Sequence, residues 1–451
     1  MPILDRNKLT QLLNQEEQLF HTNHPISYSL YQRARKSLHG GVPMLWMIRW
    51  AGSFPVFVKE AKGAHFSDVD GNSYIDFCLG DTGAMTGHSP DATVQAINEQ
   101  IQKGITLMLP YEDVIWVGEE LQRRFKLPYW QFALTATDAN RFVLRMARML
   151  TNRPKILVFN YCYHGSVDET FITLDEEGTP MSRPNNMGPA VNPLQTTKVI
   201  EFNDIAALET ALSARDVAAV LAEPVMTNIG IIHPNPGYHD ALRELTRKYG
   251  TYLIIDETHT ICTGPGGYTA SFDLQPDFVT LGKPLAGGVP AAIYGFTEEV
   301  SQAFSEKLAI DDADVGGIGG TLAGNALSIA AMKATLQNVL TEEFYSKATK
   351  LQEQFTAGVE SVIKEFELPW IVKQLGNRSE YWFKPTPPRN GGEAFAAIDH
   401  DLDRYMHLFT LNRGILMTPF HNMALISPET TQSDVDYHTK VFREAVQSLF
   451  S

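Results

Sequence analysis

Two residues at the ends of apolar runs carry side chains that can do cofactor chemistry. Asp256 ends the run Tyr-Leu-Ile-Ile-Asp, and Lys283 follows the run Phe-Val-Thr-Leu-Gly. If both runs are buried strands, the carboxylate and the amine emerge at the carboxyl edge of a sheet, where α/β proteins bind ligands. A lysine amine that is removed from water is the usual nucleophile for a Schiff base. Each residue also has an ordinary alternative, a turn or helix cap for Asp256 and a solvated surface position for Lys283.

The turn at 134–139, Leu-Thr-Ala-Thr-Asp-Ala, combines small residues and hydroxyls with the start of an amphipathic helix. Backbone N–H groups and the helix dipole at such a position bind anions. The alternative is plain N-capping by Thr137 or Asp138. Tyr163 follows a predicted strand that ends at Phe159, and its ring could stack on a planar ligand or belong to the core.

Short β-branched runs alternate with helical patterns between about residues 70 and 325, which predicts a mostly parallel sheet covered by helices on both faces. The predicted strands are Phe132–Thr135, Ile156–Phe159, Val199–Phe202, Val217–Glu223, Tyr252–Asp256 and Phe278–Leu281. Helices are predicted at Phe142–Leu150 and Tyr238–Tyr249. The segments 177–197 and 311–321 are rich in Pro, Asn or Gly and are predicted to be functional loops.

A change of pattern near residue 341 marks a second domain. After Thr341, apolar residues from Phe344 to Phe366 recur every three or four positions, which predicts a long amphipathic helix, and Ser433–Asp436 starts a last one. We therefore predict an α/β protein with a large domain at 71–340. Residues 1–70 and 341–451 would form a smaller α+β domain.

Composition excludes several classes of protein. Lys and Arg number 37 and Asp and Glu 52, and this net charge of −15 argues against a nucleic-acid partner. No apolar run approaches the roughly 18 residues of a membrane span, and the N-terminus lacks the pattern of a signal peptide. The three cysteines, Cys78, Cys162 and Cys262, form no CxxC pair, so we expect neither a disulfide framework nor a zinc ribbon, and a cytoplasmic location.

Four stretches stand in a specific order along the chain. They are AEP at 222–224, DETHT at 256–260, LGKPLAGGVPAAIYG at 281–295 and GGTLAGNALSIAA at 319–331. In this order and spacing the chain resembles the class III (subgroup II) aminotransferases of fold type I, and most closely their glutamate-1-semialdehyde aminomutase-like branch. The resemblance extends from about residue 35 to the end of the chain. It implies pyridoxal 5′-phosphate as the cofactor.

The resemblance also implies roles for individual residues. Lys283 would form the Schiff base with the cofactor and shuttle a proton, and Asp256 would keep the pyridine nitrogen protonated. The remaining cofactor contacts would come from Ala136 and Thr137 at the phosphate, Tyr163 and Thr258 on the two ring faces, Glu223 near the ring hydroxyl, and Thr321 at the phosphate of the partner subunit in a homodimer. Two positions depart from the family pattern. Ala136 replaces a glycine, which makes a positive φ uncomfortable there, and Thr258 replaces a valine.

The substrate side differs more from the relatives, which often place a tryptophan where this chain has Asp81. Arg49 and Arg378 are the candidates for a carboxylate clamp. Trp46, together with Trp50 and Phe420, could instead form an apolar pocket for a bulky amine or belong to the core. His421 lies in the second segment in which relatives acting on β-amino acids carry an arginine.

The favoured function is transfer of an amino group between a primary amine or amino acid and an oxo acid or ketone, in two half-reactions. The main alternative is an intramolecular aminomutase, which retains its intermediate under a mobile loop such as 177–197 or 311–321. A metal-dependent hydrolase built on His164, Asp256, His259 and Cys262 lacks a supporting helix motif, so no metal is predicted. A binding protein without catalysis would have no need of a buried amine at Lys283.

Overall fold

The computed structural model describes residues 4–184, 186–308, 317–419 and 421–450. The chain divides into two units. The larger unit comprises Asp91–Tyr345 and Pro388–Ala396, and the smaller unit comprises Met1–Pro90, Ser346–Pro387 and Ala397–Ser451. The domain limits at residues 70 and 340 that we propose from the sequence differ from these unit limits at Pro90 and Tyr345.

The helices and strands of the described ranges have the following bounds. The α-helices are α1 (Arg6–Asn23), α2 (Pro25–Ala34), α3 (Asp91–Ile101), α4 (Asp113–Phe125), α5 (Ala136–Thr151), α6 (Pro193–Thr196), α7 (Ile205–Ser213), α8 (Tyr238–Tyr249), α9 (Gly267–Ser271), α10 (Glu298–Lys307), α11 (Ala326–Asn338), α12 (Glu342–Glu365), α13 (Gly391–Phe395), α14 (His400–Leu411) and α15 (Gln432–Phe450). The strands are β1 (Val58–Lys62), β2 (His65–Asp68), β3 (Ser73–Asp76), β4 (Tyr129–Ala133), β5 (Lys155–Phe159), β6 (Ile172–Leu174), β7 (Pro180–Ser182), β8 (Thr197–Ile200), β9 (Val217–Ala222), β10 (Tyr252–Asp256), β11 (Phe278–Leu281), β12 (Ala292–Phe296), β13 (Ile371–Leu375), β14 (Arg378–Trp382), β15 (Ile415–Leu416) and β16 (Met423–Leu425).

The larger unit is organised by a sheet with the strand order β4-β12-β11-β10-β9-β5-β8. The pairs β11/β10, β10/β9, β9/β5 and β5/β8 are parallel, and only β12 runs antiparallel to its two neighbours. All six residues of β9 are buried, as expected for a central strand covered on both faces. The prediction of a mostly parallel sheet in an α/β fold is therefore confirmed.

Some predicted bounds differ from the structure. The strand predicted at Phe132–Thr135 is β4, which ends at Ala133 because Thr135 caps α5 instead. The antiparallel strand β12 is missing from the predicted strands, and it follows the Gly- and Pro-rich stretch 287–290. The predicted loop at 177–197 contains β7 and α6. Of the predicted loop at 311–321, residues 311–316 lie outside the described residues.

The smaller unit joins the N-terminal and C-terminal segments. Its sheets have the strand orders β1-β2-β3-β15 and β13-β14-β16, and β15 pairs with β3 in parallel. One core cluster combines Phe20, Phe54, Phe66 and Tyr74 with Leu408 and Leu411 of α14. Burial of aromatic and aliphatic side chains from both ends of the chain holds these distant segments together. The predicted α+β composition of the smaller domain is therefore confirmed.

In the described part of the chain, no helix is long and apolar enough to cross a membrane.

Candidate functional site

The carboxyl ends of three neighbouring parallel strands carry the central residues of the site. Glu223 directly follows β9, Asp256 is the last residue of β10, and Lys283 lies two residues after β11. Asp256 is in register with Thr280 of β11. Because parallel strands end at the same edge of a sheet, these carboxylates and the amine share that edge.

Asp256 is held by three hydrogen bonds. Its Oδ2 accepts from Asn140 Nδ2 and from His164 Nδ1, each at 2.9 Å, and its Oδ1 accepts from the backbone N–H of Thr258 at 3.0 Å. Asn140 is not among the residues predicted from the sequence; it lies on α5, and its Oδ1 accepts from Thr280 Oγ1 at 2.7 Å. The carboxylate is therefore fixed in orientation at the floor of the site.

The environment of Asp256 keeps its carboxyl group ionised. Burial by itself raises the pKa of Asp256, but the hydrogen bond and charge of His164 outweigh it and lower the pKa to about 2. Burial disfavours a charged His164, yet the Cys162 sulfur and the Asp256 carboxylate prevail and raise the pKa of the imidazole. A buried carboxylate that stays charged can keep a cationic group on its open side protonated.

Lys283 is only partly exposed and contacts an imidazole. Its Nζ hydrogen-bonds Nε2 of His259, and its backbone adopts φ +50°, a left-handed conformation that is uncommon for a residue with a side chain. His259 Nδ1 lies 2.6 Å from Thr227 Oγ1, which in turn hydrogen-bonds Glu223 Oε2. From the sequence, His259 is a candidate only as a metal ligand, and Thr227 is not a candidate site residue.

The start of α5 offers an anion site at the same strand edge. Thr135 is the N-cap and Ala136 and Thr137 are the first helical residues, so their backbone N–H groups point out of the helix end. Thr137 Oγ1 accepts from the backbone N–H of Ser166 at 3.0 Å. Ala136 is absent from the residues with positive φ. The alanine that replaces the family glycine is therefore unstrained, contrary to the concern raised by the sequence.

The position directly before Lys283 leaves little room for a side chain. A Cβ atom added to Gly282 would lie 3.0 Å from Ala136 Cβ and 3.2 Å from Ala136 N. The Lys283 turn thus packs closely against the first residue of α5. This close approach brings the amine-bearing turn next to the anion site.

The remaining residues proposed for the cofactor are placed as follows. Tyr163 is half-buried, with its ring centroid 6.4 Å from that of Phe171 at an interplanar angle of 73°. Thr258 is buried, and its Oγ1 has no hydrogen-bond partner among the described residues. Thr321 is exposed in a turn before α11.

The substrate candidates all lie in the smaller unit. Trp46 and Arg49 are exposed on a 3-10 helix, Leu45–Arg49. Arg378 on β14 is fully buried, with Nη2 3.4 Å from Asp81 Oδ1. Its Nε and Nη1 have no hydrogen-bond partner in the described ranges.

Arg378 and Glu380 alternate with Ser379 along β14, so their side chains share one face of the strand. Ser379 Oγ contacts Thr356 Oγ1 of α12 at 2.6 Å, which places the Arg378 face opposite α12. His421 Nδ1 lies 3.4 Å from Glu380 Oε1. Phe420, named as a possible pocket residue, lies outside the described residues.

The residues of the hydrolase alternative are otherwise engaged. His164 bonds Asp256, His259 bonds Lys283, and Cys262 is buried. Across residues 4–184, 186–308, 317–419 and 421–450, no three His, Cys, Asp or Glu side chains are grouped so that they could hold a metal ion.

Known proteins resemble this chain over most of its length. A profile of the family Aminotransferase class-III matches residues 46–439. A glutamate-1-semialdehyde 2,1-aminomutase of Desulfitobacterium hafniense (strain DSM 10664 / DCB-2) is 31% identical, covering 94% of this chain and 98% of the relative. A crystal structure of a glutamate-1-semialdehyde-aminomutase from Pseudomonas aeruginosa PAO1 is 48% identical over 99% of each chain, with a TM-score of 0.97. An omega-transaminase from Sphaerobacter thermophilus is 27% identical, with a TM-score of 0.85 over 94% of this chain and 98% of that protein.

Proposed function

The chain belongs to the class-III aminotransferases, and from that premise we propose how this pyridoxal 5′-phosphate-dependent enzyme uses its site. It transfers an amino group from a primary amine or amino acid to a separate oxo acid or ketone in two half-reactions. The proposal rests on one observation: Lys283, the ionised Asp256 and the N-terminus of α5 come together at one edge of the larger sheet.

The donor set of this edge fits pyridoxal phosphate. The cofactor has an aldehyde, a basic ring nitrogen and a phosphate, and when bound it supplies an electron-accepting ring that stabilises negative charge on the substrate carbon. Lys283 would bind the aldehyde carbon, and Asp256 would hold the ring nitrogen protonated. Ala136 and Thr137 would bind the phosphate. The unpartnered, buried Thr258 Oγ1 is an orphaned polar atom of the kind that a ligand satisfies.

The other residues implied by the resemblance complete the proposal. Tyr163 would stack on one ring face, Thr258 would pack on the other, and Glu223 would line the pocket near the ring hydroxyl. Thr321 would reach the cofactor phosphate of a partner subunit in a homodimer. An exposed apolar run supports a homodimer, since Leu107, Met108 and Leu109 are 57%, 75% and 69% exposed.

On the substrate side, Arg378 would bind a carboxylate. Its guanidinium is fully buried, and two of its nitrogens have no partner among the described residues, an arrangement that costs free energy until an acceptor arrives. Asp81 orients Nη2 and so leaves Nη1 available to an oxyanion. Trp46, Arg49 and His421 remain further substrate candidates.

The three free, buried cysteines support a reducing, cytoplasmic location.

An intramolecular aminomutase is the second candidate, favoured by the similarity to the glutamate-1-semialdehyde aminomutases of Desulfitobacterium hafniense and Pseudomonas aeruginosa. An aminomutase converts a single substrate without an acceptor, whereas a transaminase stops after one half-reaction. Adding glutamate-1-semialdehyde alone, and separately a panel of amines with and without pyruvate, distinguishes the two activities.

The test of the proposal is the visible absorbance of the purified protein with pyridoxal phosphate. We expect a yellow complex that bleaches with particular amines and recovers with pyruvate. Lys283→Ala should lose the Schiff-base absorbance and turnover, while Lys126→Ala, which removes an exposed lysine paired with Asp273, should behave as wild type. A colourless wild-type protein, or a Lys283→Ala variant with normal turnover, would contradict the proposal.

A further inference from the structure

A series of buried hydrogen bonds links Lys283 to Glu223. Lys283 Nζ contacts His259 Nε2, His259 Nδ1 lies 2.6 Å from Thr227 Oγ1, and Thr227 Oγ1 contacts Glu223 Oε2. Glu223, Thr227 and His259 are 6%, 0% and 9% exposed. This series of hydrogen bonds therefore runs through the protein interior and ends on the Glu223 carboxyl group.

The single proton of the Thr227 hydroxyl determines which way these bonds point. If Glu223 is ionised, its carboxylate can only accept, so Thr227 donates to Glu223 and must accept from His259 Nδ1–H. A neutral His259 protonated on Nδ1 has a lone pair on Nε2, and this lone pair accepts a hydrogen bond from Lys283 Nζ. In this arrangement every hydrogen bond has one donor and one acceptor when Lys283 and Glu223 are both charged.

The opposite state is equally well bonded. If Glu223 carries a proton, it donates to Thr227, Thr227 donates to His259 Nδ1, and His259 Nε2–H donates to the lone pair of a neutral Lys283. The two states contain the same atoms and differ by the position of one proton in each of the three hydrogen bonds. No side chain has to move for the proton to pass.

We propose that His259 and Thr227 form a proton relay that carries a proton between the Lys283 amine and the Glu223 carboxylate. In the forward direction, Lys283 Nζ releases a proton to His259 Nε2, His259 Nδ1 passes its proton to Thr227 Oγ1, and Thr227 passes its own to Glu223 Oε2. The net change is a neutral amine and a neutral carboxylic acid. The inference rests on the proposed function, in which Lys283 must be neutral to attack an aldehyde or to accept a proton from substrate.

The surroundings of Glu223 favour the protonated form of its carboxyl group. Burial raises the pKa of its carboxyl group, although the charge of His164 and the Thr227 hydrogen bond oppose that rise, and Asp256 adds to it. Its Oε1 is buried and has no hydrogen-bond partner among the described residues, so the charged form is incompletely solvated. An ordinary lysine is almost fully protonated at neutral pH. A buried acceptor such as Glu223 can therefore take up the proton that Lys283 has to release.

The test compares two substitutions of Thr227. Thr227→Val keeps the volume and removes the hydroxyl, whereas Thr227→Ser keeps the hydroxyl. The first readout is the rate at which visible absorbance develops when pyridoxal phosphate is added to cofactor-free protein. The second is the rate of bleaching when a donor amine is added to the holoenzyme. We expect Thr227→Val to slow both rates by roughly tenfold to hundredfold and Thr227→Ser to recover most of that loss.

A matched control removes a hydroxyl elsewhere in the larger unit. Thr246 is also fully buried, and its Oγ1 donates within α8 to Leu242 O at 2.9 Å. Thr246→Val should leave both rates unchanged. In His259→Ala, added imidazoles should restore the rates, and the restored rate should vary with the pKa of the imidazole, which filling a cavity would not cause.

The outcomes separate the relay from the proposed function. If wild type forms no coloured complex, the proposed function fails. If wild type forms it and Thr227→Val reacts as fast as Thr227→Ser, the relay is wrong while the function stands. Should Thr227→Val fold poorly, judged by circular dichroism, Glu223→Gln provides the same test, because an amide cannot store the proton. Unslowed rates in that variant would also overturn the relay.

Discussion

Replacing Asp256 by asparagine tests the central electrostatic feature of the site. Asp256 accepts two hydrogen bonds at Oδ2, from Asn140 and His164, and one at Oδ1, from the backbone N–H of Thr258. An asparagine can accept at only one of these positions. If its oxygen faces Asn140 and His164, its amide N–H₂ meets the Thr258 N–H, and one buried donor loses its partner. That loss costs about 1–3 kcal/mol of folding free energy.

The loss of charge has a larger effect on the reaction. A carboxylate that holds a buried cation contributes about 3–5 kcal/mol when its removal leaves the cation unpaired. If this stabilisation operates in the transition state, turnover falls by about 10²- to 10⁴-fold. Binding of pyridoxal phosphate should persist, because the phosphate turn and Lys283 are unchanged.

The assay is a single half-reaction, in which bleaching of the bound cofactor by a donor amine is followed by stopped flow. Cofactor binding is measured separately by titrating the visible absorbance. The matched control is Asp277→Asn, which alters a partly buried aspartate that pairs with Arg243 at the opposite end of β11. A bleaching rate within tenfold of wild type, with cofactor bound, would refute the reasoning.

Three further predictions follow from the contacts described. Arg378→Met should raise KM for carboxylate-bearing substrates and leave carboxylate-free amines unaffected, because only a carboxylate uses the two guanidinium nitrogens that have no partner among the described residues. Equal effects on both substrate sets would eliminate the carboxylate role. Gly282→Ala should destabilise the protein by about 1–3 kcal/mol through overpacking against Ala136. It should also weaken cofactor binding, as measured by an absorbance titration. The control Gly118→Ala, whose added Cβ meets nothing within 4 Å, should have neither effect. The folded-state pKa of Asp256 is depressed to about 2, so its stabilising effect is complete above its ordinary pKa and is lost as the pH falls through about 2. Denaturant titrations should therefore show the stability difference between wild type and Asp256→Asn shrinking from about pH 4 to pH 2, and a constant difference would contradict the assignment.

The family, the cofactor and the α/β architecture could all be predicted from the sequence. The strands Tyr252–Asp256 and Phe278–Leu281 have the bounds that their apolar runs predict. Such runs are local signals, because a strand buried on both faces needs apolar side chains at every position. The order and spacing of the motifs at 222–224, 256–260, 281–295 and 319–331 predicted the class-III family, which the comparisons confirm. The roles of individual site residues stay predictions.

Other features depended on which strands lie side by side. Asn140 lies 116 residues before Asp256, and nothing in its local sequence indicates the hydrogen bond that joins them. The strand β12 inserts between β4 and β11 although both of those precede it in the chain. Likewise, Thr227 and His259 are ordinary residues of two loops until the register of β9 and β10 brings them within 2.6 Å.

The sequence by itself determined the chemical groups available, a lysine and an acid at strand ends with hydroxyls at a helix start, because residue type and local periodicity are written in the chain. Only the tertiary structure decided which of these groups are buried, which charges face one another and which donor meets which acceptor. Those properties depend on distances of a few ångströms between residues far apart in sequence. Hydrogen bonding and desolvation change steeply over such distances.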